Sequence, residues 1–263
     1  MHPLYIGAIV AALLAIGAGY GAYEARARRR RLLGVETSTT GTLRQLHEAA
    51  TAAAGMNAFS EIAEVDGTAQ PGPGGPLTAP ISGTPCVWWR QRVSRRYRDR
   101  CTDSKGRRHT RVREEELNDD RSRDPFVVRD IEGDILVVPT TNVQSARKSV
   151  SEFRDHHSER QGAQIKVGSF QLSLPSTGDD TIGYEYEEWV LTPETRVFVS
   201  GEATDRGGEL QIREPQGPHD LVITTKSEEE LLGDTQRVFL LFGFGAAALA
   251  VASVVLLVLA ILR

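Results

Sequence analysis

Two uninterrupted apolar runs bracket a middle in which apolar and polar residues alternate. Residues 3–23 and 238–262 contain no Asp, Glu, Lys or Arg. At 1.5 Å per residue these runs make helices of roughly 32 to 37 Å, enough to cross a hydrocarbon core of ~30 Å. The pattern predicts two transmembrane helices, with residues 24–237 held at the bilayer surface. Within that middle, Thr39 or Thr40 is placed to cap a helix ending near Gly55, with Leu43, Leu46, Ala49, Ala50 and Ala53 as its apolar stripe. Strand patterns follow at 62–67, 86–98, 109–113, 126–128, 135–138, 184–191, 197–201, 209–213 and 221–225. Gly133 supplies a turn between the fourth and fifth of these, and 145–156 reads as a short helix. Ser227 and Glu230 form a capping box that leads a helix, 227–237, towards the second apolar run.

Six to nine short strands with hairpin signals imply a mainly β domain over 57–226. It would be an antiparallel barrel or sandwich, with an oligonucleotide-binding-like barrel as one form, between two transmembrane helices. Residues 24–56 form a basic juxtamembrane segment and the capped helix.

Charge sets the orientation. Arg26, Arg28, Arg29, Arg30 and Arg31 follow the first run, whereas only Met1 and His2 precede it. Arginine and lysine near span ends favour the cytoplasmic side, so the domain is expected to be cytoplasmic in a multi-pass protein of the cell membrane. A cleaved signal peptide is disfavoured, because the run is long and lacks a preceding basic region. The two cysteines, Cys86 and Cys101, exclude a disulfide framework and any site of four thiolates. A reducing compartment points to free, buried thiols.

The formal net charge of −4 conceals segregation. Residues 90–113 hold 11 Lys and Arg against Asp99 and Asp103, a local +9. Alternation along 86–98 puts Val87, Trp89, Gln91, Val93 and Tyr97 on one face. Trp88, Arg90, Arg92, Ser94, Arg96 and Arg98 fall on the other. Trp88, Arg90, Arg92, Arg96 and Arg98 are therefore the candidate interaction surface, for an unidentified acidic protein or anionic lipid headgroups. Nucleic acid is disfavoured. Against every binding reading stands internal pairing of these arginines with Glu114, Glu115, Glu116, Asp119 and Asp120. Both tryptophans also read as core or cover.

His156 and His157, beside Asp155 and Glu159, lack metal-ligand spacing, and no nucleophile pairs with a base in any recognisable motif. No cofactor, metal or catalytic residue is expected. In the apolar runs, Gly17 with Gly21 and Gly243 with Ala247 make small-x-x-x-small pairs, candidate faces for helix packing in the membrane.

Four segments carry a resemblance. They are 77–90 (LTAPISGTPCVWWR), Pro125-Phe126 with Gly133 and Val137, 186–203 from Tyr186 through Pro193 to Ala203, and 225–232. In order and spacing they resemble the GIDE, or beside-a-membrane, family, whose members include a two-span mitochondrial outer-membrane ubiquitin ligase with a RING. Thr195 stands where family members often have Gly. The resemblance implies membrane anchoring and a link to ubiquitin ligation, in membrane stress or quality control. A RING needs eight Cys/His ligands for two Zn²⁺, and two cysteines with six histidines cannot supply them. Ligase activity is therefore not expected of this chain alone. It is expected to act as a non-catalytic interaction or scaffold module, or as one component of a ligase system with a separate catalytic partner. The resemblance also implies a domain facing away from the cytosol, in conflict with the arginine rule, and the chain's own charges decide for the cytoplasm.

Overall fold

The computed structural model describes residues 10, 13–21, 37–102, 106–155, 164–167, 170–173, 180–226, 245, 247–255 and 258. The chain divides into two compact units, Met1–Glu36 with Ser227–Arg263, and Thr37–Lys226. In the first, helical residues 13–21 and 247–255 fall inside the two apolar runs. Among the described residues, no helix is long and apolar enough to cross a membrane. The arginine run at 26–31 and the capping box of Ser227 and Glu230 lie outside the described residues, as does much of both apolar runs.

The second unit opens on helix α1 (Thr40–Ala54), capped as predicted by the Thr39 hydroxyl, which accepts the Thr42 N–H at 3.1 Å. Gly55, at φ +89°, ends it by donating its N–H to the Thr51 carbonyl. The buried side of α1 is narrower than the predicted stripe. Leu43 is buried and Ala50 half-buried, whereas Leu46, Ala49 and Ala53 are exposed. His47 takes a place on the inner face because it reaches a carboxylate, Asp205, at 3.2 Å.

Fifteen strands occur among the described residues, more than the pattern predicts. The first run of them is β1 (Ser60–Gln70), β2 (Leu77–Thr78), β3 (Pro85–Cys86), β4 (Trp88–Thr102) and β5 (Arg108–Arg121). There follow β6 (Phe126–Arg129), β7 (Asp134–Val137), β8 (Val143–Gln144), β9 (Arg147–Asp155), β10 (Gln164–Val167) and β11 (Phe170–Ser173). The last are β12 (Thr181–Leu191), β13 (Arg196–Thr204), β14 (Gln211–Arg213) and β15 (Val222–Thr224). The expected helix at 145–156 is strand β9 instead, because this mostly exposed, polar segment pairs antiparallel along β12.

Five strands close a barrel in the order β1-β6-β7-β14-β13, with β13 returning to β1 over nine residue pairs. The β7–β14 contact is parallel and the others are antiparallel. Inside lie Ala63, Val65, Phe126, Val128, Ile135, Val137, Val197, Val199, Ala203 and Ile212, all buried, with Leu43 of α1 against them. Each large aliphatic or aromatic side chain so buried contributes about 1.5–3 kcal/mol. Gly201 of β13 is required by space. A Cβ there would come within 2.8 Å of both Ile212 Cγ2 and Leu221 Cδ1.

Two long insertions interrupt the barrel, one between β1 and β6 and one between β7 and β13. Neither makes a complete sheet. Together they build one, in the order β5-β4-β12-β9. Trp88 and Leu191, paired where β4 begins and β12 ends, are both buried in the barrel's core cluster and root this second sheet in it.

Asp130, in the β6–β7 turn, ties the helix to the barrel. Its carboxylate accepts the Thr40 N–H at 2.7 Å, the Thr40 hydroxyl at 2.6 Å, and the N–H groups of Glu132 and Gly133 at 2.7 and 3.0 Å. Burial opposes its ionisation, but these donors outweigh burial and hold the carboxyl below its ordinary 3.8. A depressed folded pKa stabilises fully above the unfolded value and loses that contribution as pH falls through the folded one. Asp130→Ala is expected to cost about 2 kcal/mol at pH 7. In urea unfolding, the gap from wild type should shrink as pH drops below about 4.

Candidate interaction face

Strand β4 lies between β5 and β12, with β9 outside β12. Residues directly opposite in paired strands share a face. The register sets Arg90 against Trp189, Arg92 against Glu187 and Asp119, and Trp189 against Lys148. Arginines predicted to share a face therefore do so, and that face also gathers acidic and aromatic residues from the neighbouring strands.

Arg90 forms a bidentate pair with Asp119, Nε–Oδ1 2.7 Å and Nη2–Oδ2 2.5 Å. The hydrogen bond with Arg90 holds the Asp119 carboxyl below its ordinary range and raises the guanidinium in return. Arg92 donates from Nε to Glu187 at 2.8 Å, and Lys148 donates to the other oxygen of the same carboxylate. Burial works against ionisation of Glu187, but the hydrogen bonds from Lys148 and Arg92 prevail and lower its pKa. Over the Trp189 indole stand three cations, Lys148 at 5.1 Å, Arg90 at 5.2 Å and Arg92 at 5.6 Å. Each is within cation–π range, about 0.5–1 kcal/mol where exposed. Farther along, Arg96 reaches Glu185 at 3.5 Å and stands 5.6 Å over Phe153.

The inner arginines are thus committed to neighbours. Of the acidic partners predicted from β5, Asp119 takes Arg90 and Glu115 takes Arg95 at 2.9 Å. The remaining acids, Glu185 and Glu187, come from β12 and escaped the sequence reading, as did Lys148 and Trp189. The alternating acids of Glu185 and Glu187 before Trp189 were the available signal, visible once β12 is set beside β4.

Trp88 is corrected. It is 1% exposed and belongs to the barrel core rather than to a binding face. The side of β4 that carries arginines farther along is covered by the barrel at its first residue. Trp89 is half-buried in a smaller cluster with Ala79, Cys86 and Val190. Arg98 is exposed, and its side chain has no partner among the described residues.

The opposite face is closed by the β2–β3 loop. Its organiser is Glu188, fully buried, whose carboxylate accepts the N–H groups of Ile81 at 2.6 Å and Ser82 at 3.2 Å and the Ser149 hydroxyl at 2.7 Å. Burial, then the charge of Glu188, pushes the Cys86 thiol up to about 11. Such a thiol is protonated and inert at neutral pH. Both cysteines are free, Cys86 buried as expected but Cys101 half-exposed.

A cleft of about 600 Å³ beside the start of α1 is lined by Thr39, Asp66, Arg129, Asp130 and Arg196. Its arginines already form two-point pairs, Arg196 with Asp66 and Arg129 with Asp134. No group of His, Cys, Asp and Glu among the described residues is arranged to hold a metal. His156 and His157 lie outside the described residues, as does Gly243. Gly17 and Gly21 sit in the helical residues 13–21, and Ala247 is helical and exposed. A Cβ on Gly17 would meet nothing within 4 Å.

The GIDE family, described as E3 Ubiquitin ligase, matches residues 94–259, well over half of the chain. No curated protein and no solved structure matches it. The matched region runs from within β4 to β15 and on into the second apolar run.

The two thiols differ enough to be counted apart. Titration of the native chain with a disulfide reagent at pH 8 should modify Cys101 and spare Cys86, and denaturant should release the second equivalent. Two equivalents reacting in the native state would contradict the burial of Cys86.

Proposed function

This chain belongs to the GIDE family, and we propose that it acts as a membrane-anchored, non-catalytic interaction module. The family match carries the reading, because it extends to residue 259 and so joins the β domain and the second apolar run in one unit of homology. The two charge-free runs, 3–23 and 238–262, are the anchors, and the arginines at 26–31 orient the domain to the cytoplasm of a cell membrane. We read the barrel's closing order, with its one parallel pair, as that of an oligonucleotide-binding-like barrel, a scaffold that works through exposed faces and loops. Internal pairing of Arg90, Arg92 and Arg96 supports a structural role for the inner half of the basic strand. Partners would then meet the domain elsewhere. Membrane stress or quality control is the process to which the family connects it.

The description of the family as E3 ubiquitin ligase favours one second reading, in which the domain serves a ligase system and a separate partner brings the catalysis. Ubiquitin conjugates that form only when a co-purifying partner is present would favour it. A stable complex with no covalent product favours the scaffold.

Topology is the test of the leading reading. Gly74 is exposed, with nothing within 4 Å of a Cβ, so it accepts a reporter cysteine. In a Gly74→Cys/Cys101→Ser chain the buried Cys86 stays silent. A membrane-impermeant thiol reagent should label this chain only in permeabilised cells, and alkaline carbonate should leave the chain in the membrane pellet. Labelling in intact cells would reverse the orientation. Release by carbonate would remove the anchoring.

A further inference from the structure

The bridging sheet changes character along β4. The ladder with β12 stops at Tyr97 and, after one last backbone bond from the Arg98 N–H to the Asp180 carbonyl at 2.8 Å, Asp99–Thr102 pairs only with residues 108–111 of β5. This outer part is a two-stranded arm. Its residues are exposed on both faces, apart from the half-exposed Asp99 and Cys101. Residues 98–113 carry seven Lys and Arg against Asp99 and Asp103, a net +5.

Some of that charge is neutralised. Arg113 pairs with Asp99 at 2.7 Å and Arg100 with Asp180 at 2.8 Å. Arg98, Arg108 and Arg111 are exposed, and their side chains have no partner among the described residues. Cross-strand register sets Arg98 opposite Val112 and Arg108 opposite Thr102, one face of the arm, with Arg111 on the other. Val112, opposite Arg98 at the root of the arm, is 66% exposed. Cations alone on an exposed ribbon would serve to block edge pairing. An apolar residue held among them serves a different contact.

We infer that this arm is an electrostatic contact for the anionic headgroups of a lipid bilayer. Guanidinium groups suit phosphates and carboxylates, and an exposed apolar side chain beside them suits the boundary below. The arm holds no Phe, Trp or Tyr on which bases would stack, which disfavours single-stranded nucleic acid. The inference rests on the anchored reading, because chain ends held in a bilayer keep the arm at high effective concentration beside its ligand.

The test uses the full chain with Cys101→Ser and Val112→Cys, carrying a polarity-sensitive fluorophore and reconstituted into vesicles. One set is phosphatidylcholine alone, and the other has about a third of its lipid as phosphatidylserine. The emission should shift to the blue, and become quenchable by a headgroup-level quencher, only in the anionic set. Salt at about 0.5 M should reverse the effect. Arg98→Glu/Arg108→Glu/Arg111→Glu should reduce the quenched fraction at least about fivefold while circular dichroism stays unchanged. Equal emission in the two sets, or a response only to an added oligonucleotide or acidic polypeptide, would overturn the inference. Flotation separates the two levels. A chain that fails to float with neutral vesicles defeats the anchored reading itself, and one that floats without a lipid-dependent emission defeats only the arm.

Discussion

A carboxylate with no access to water organises the bridging sheet. Leaving Glu188 charged and unsolvated would cost several kcal/mol, and the Ile81 and Ser82 amides with the Ser149 hydroxyl offset that cost. Its donors come from both insertions, the β2–β3 loop of the first and β9 of the second, while Glu188 itself sits on β12. One side chain therefore ties together chain segments about a hundred residues apart. Once the loop is drawn over this face, its Ile81 packs with Val93, Tyr184 and Tyr186, and its Ala79 with Cys86 and Val190. The charged residues of β4 and β12 are left on the other face, where they meet each other.

That meeting sets what the basic strand can do. An exposed ion pair is worth about 0.2–1 kcal/mol, so no single bridge decides stability. The Glu187 carboxylate is different, at 8% side-chain exposure with two cations on it and an indole alongside. Removing Arg92 or Lys148 for an outside ligand would strip a nearly buried acid of a partner, at a cost above that of a surface bridge. A ligand approaching the inner sheet would have to compete with groups already in place. On the arm it would meet Arg98, Arg108 and Arg111, whose side chains have no partner among the described residues.

Local signals were legible in the sequence where the residue chemistry leaves one geometry. The Thr39 cap, the Gly55 stop, the β6–β7 hairpin and the strands around Tyr186 and Val199 are all of this kind. Strand β5 was only partly visible, because a ribbon exposed on both faces has no apolar alternation to betray it. Strand β9 read as a helix for a related reason, since most of its residues are exposed and its only guide is its pairing to β12. Closure of the barrel depends on β1 meeting β13 across more than a hundred residues, which no local pattern encodes. The face of the site failed at Trp88 because alternation fixes sides relative to a strand, and β4 passes from one sheet's core to another's surface.

The segments that carry the family resemblance turn out to be structural in what they touch. The 77–90 stretch supplies the loop bound by Glu188 and the Trp88 root, and 186–191 supplies Glu188 itself. The 196–203 stretch supplies the strand that closes the barrel, with Gly201 where no side chain fits. Likeness of this kind specifies a frame, and it would persist in relatives with different partners. What distinguishes one such chain from another must lie in the residues the frame leaves exposed. In this chain an exposed excess of positive charge lies on the arm beyond Tyr97, where the ladder with β12 ends.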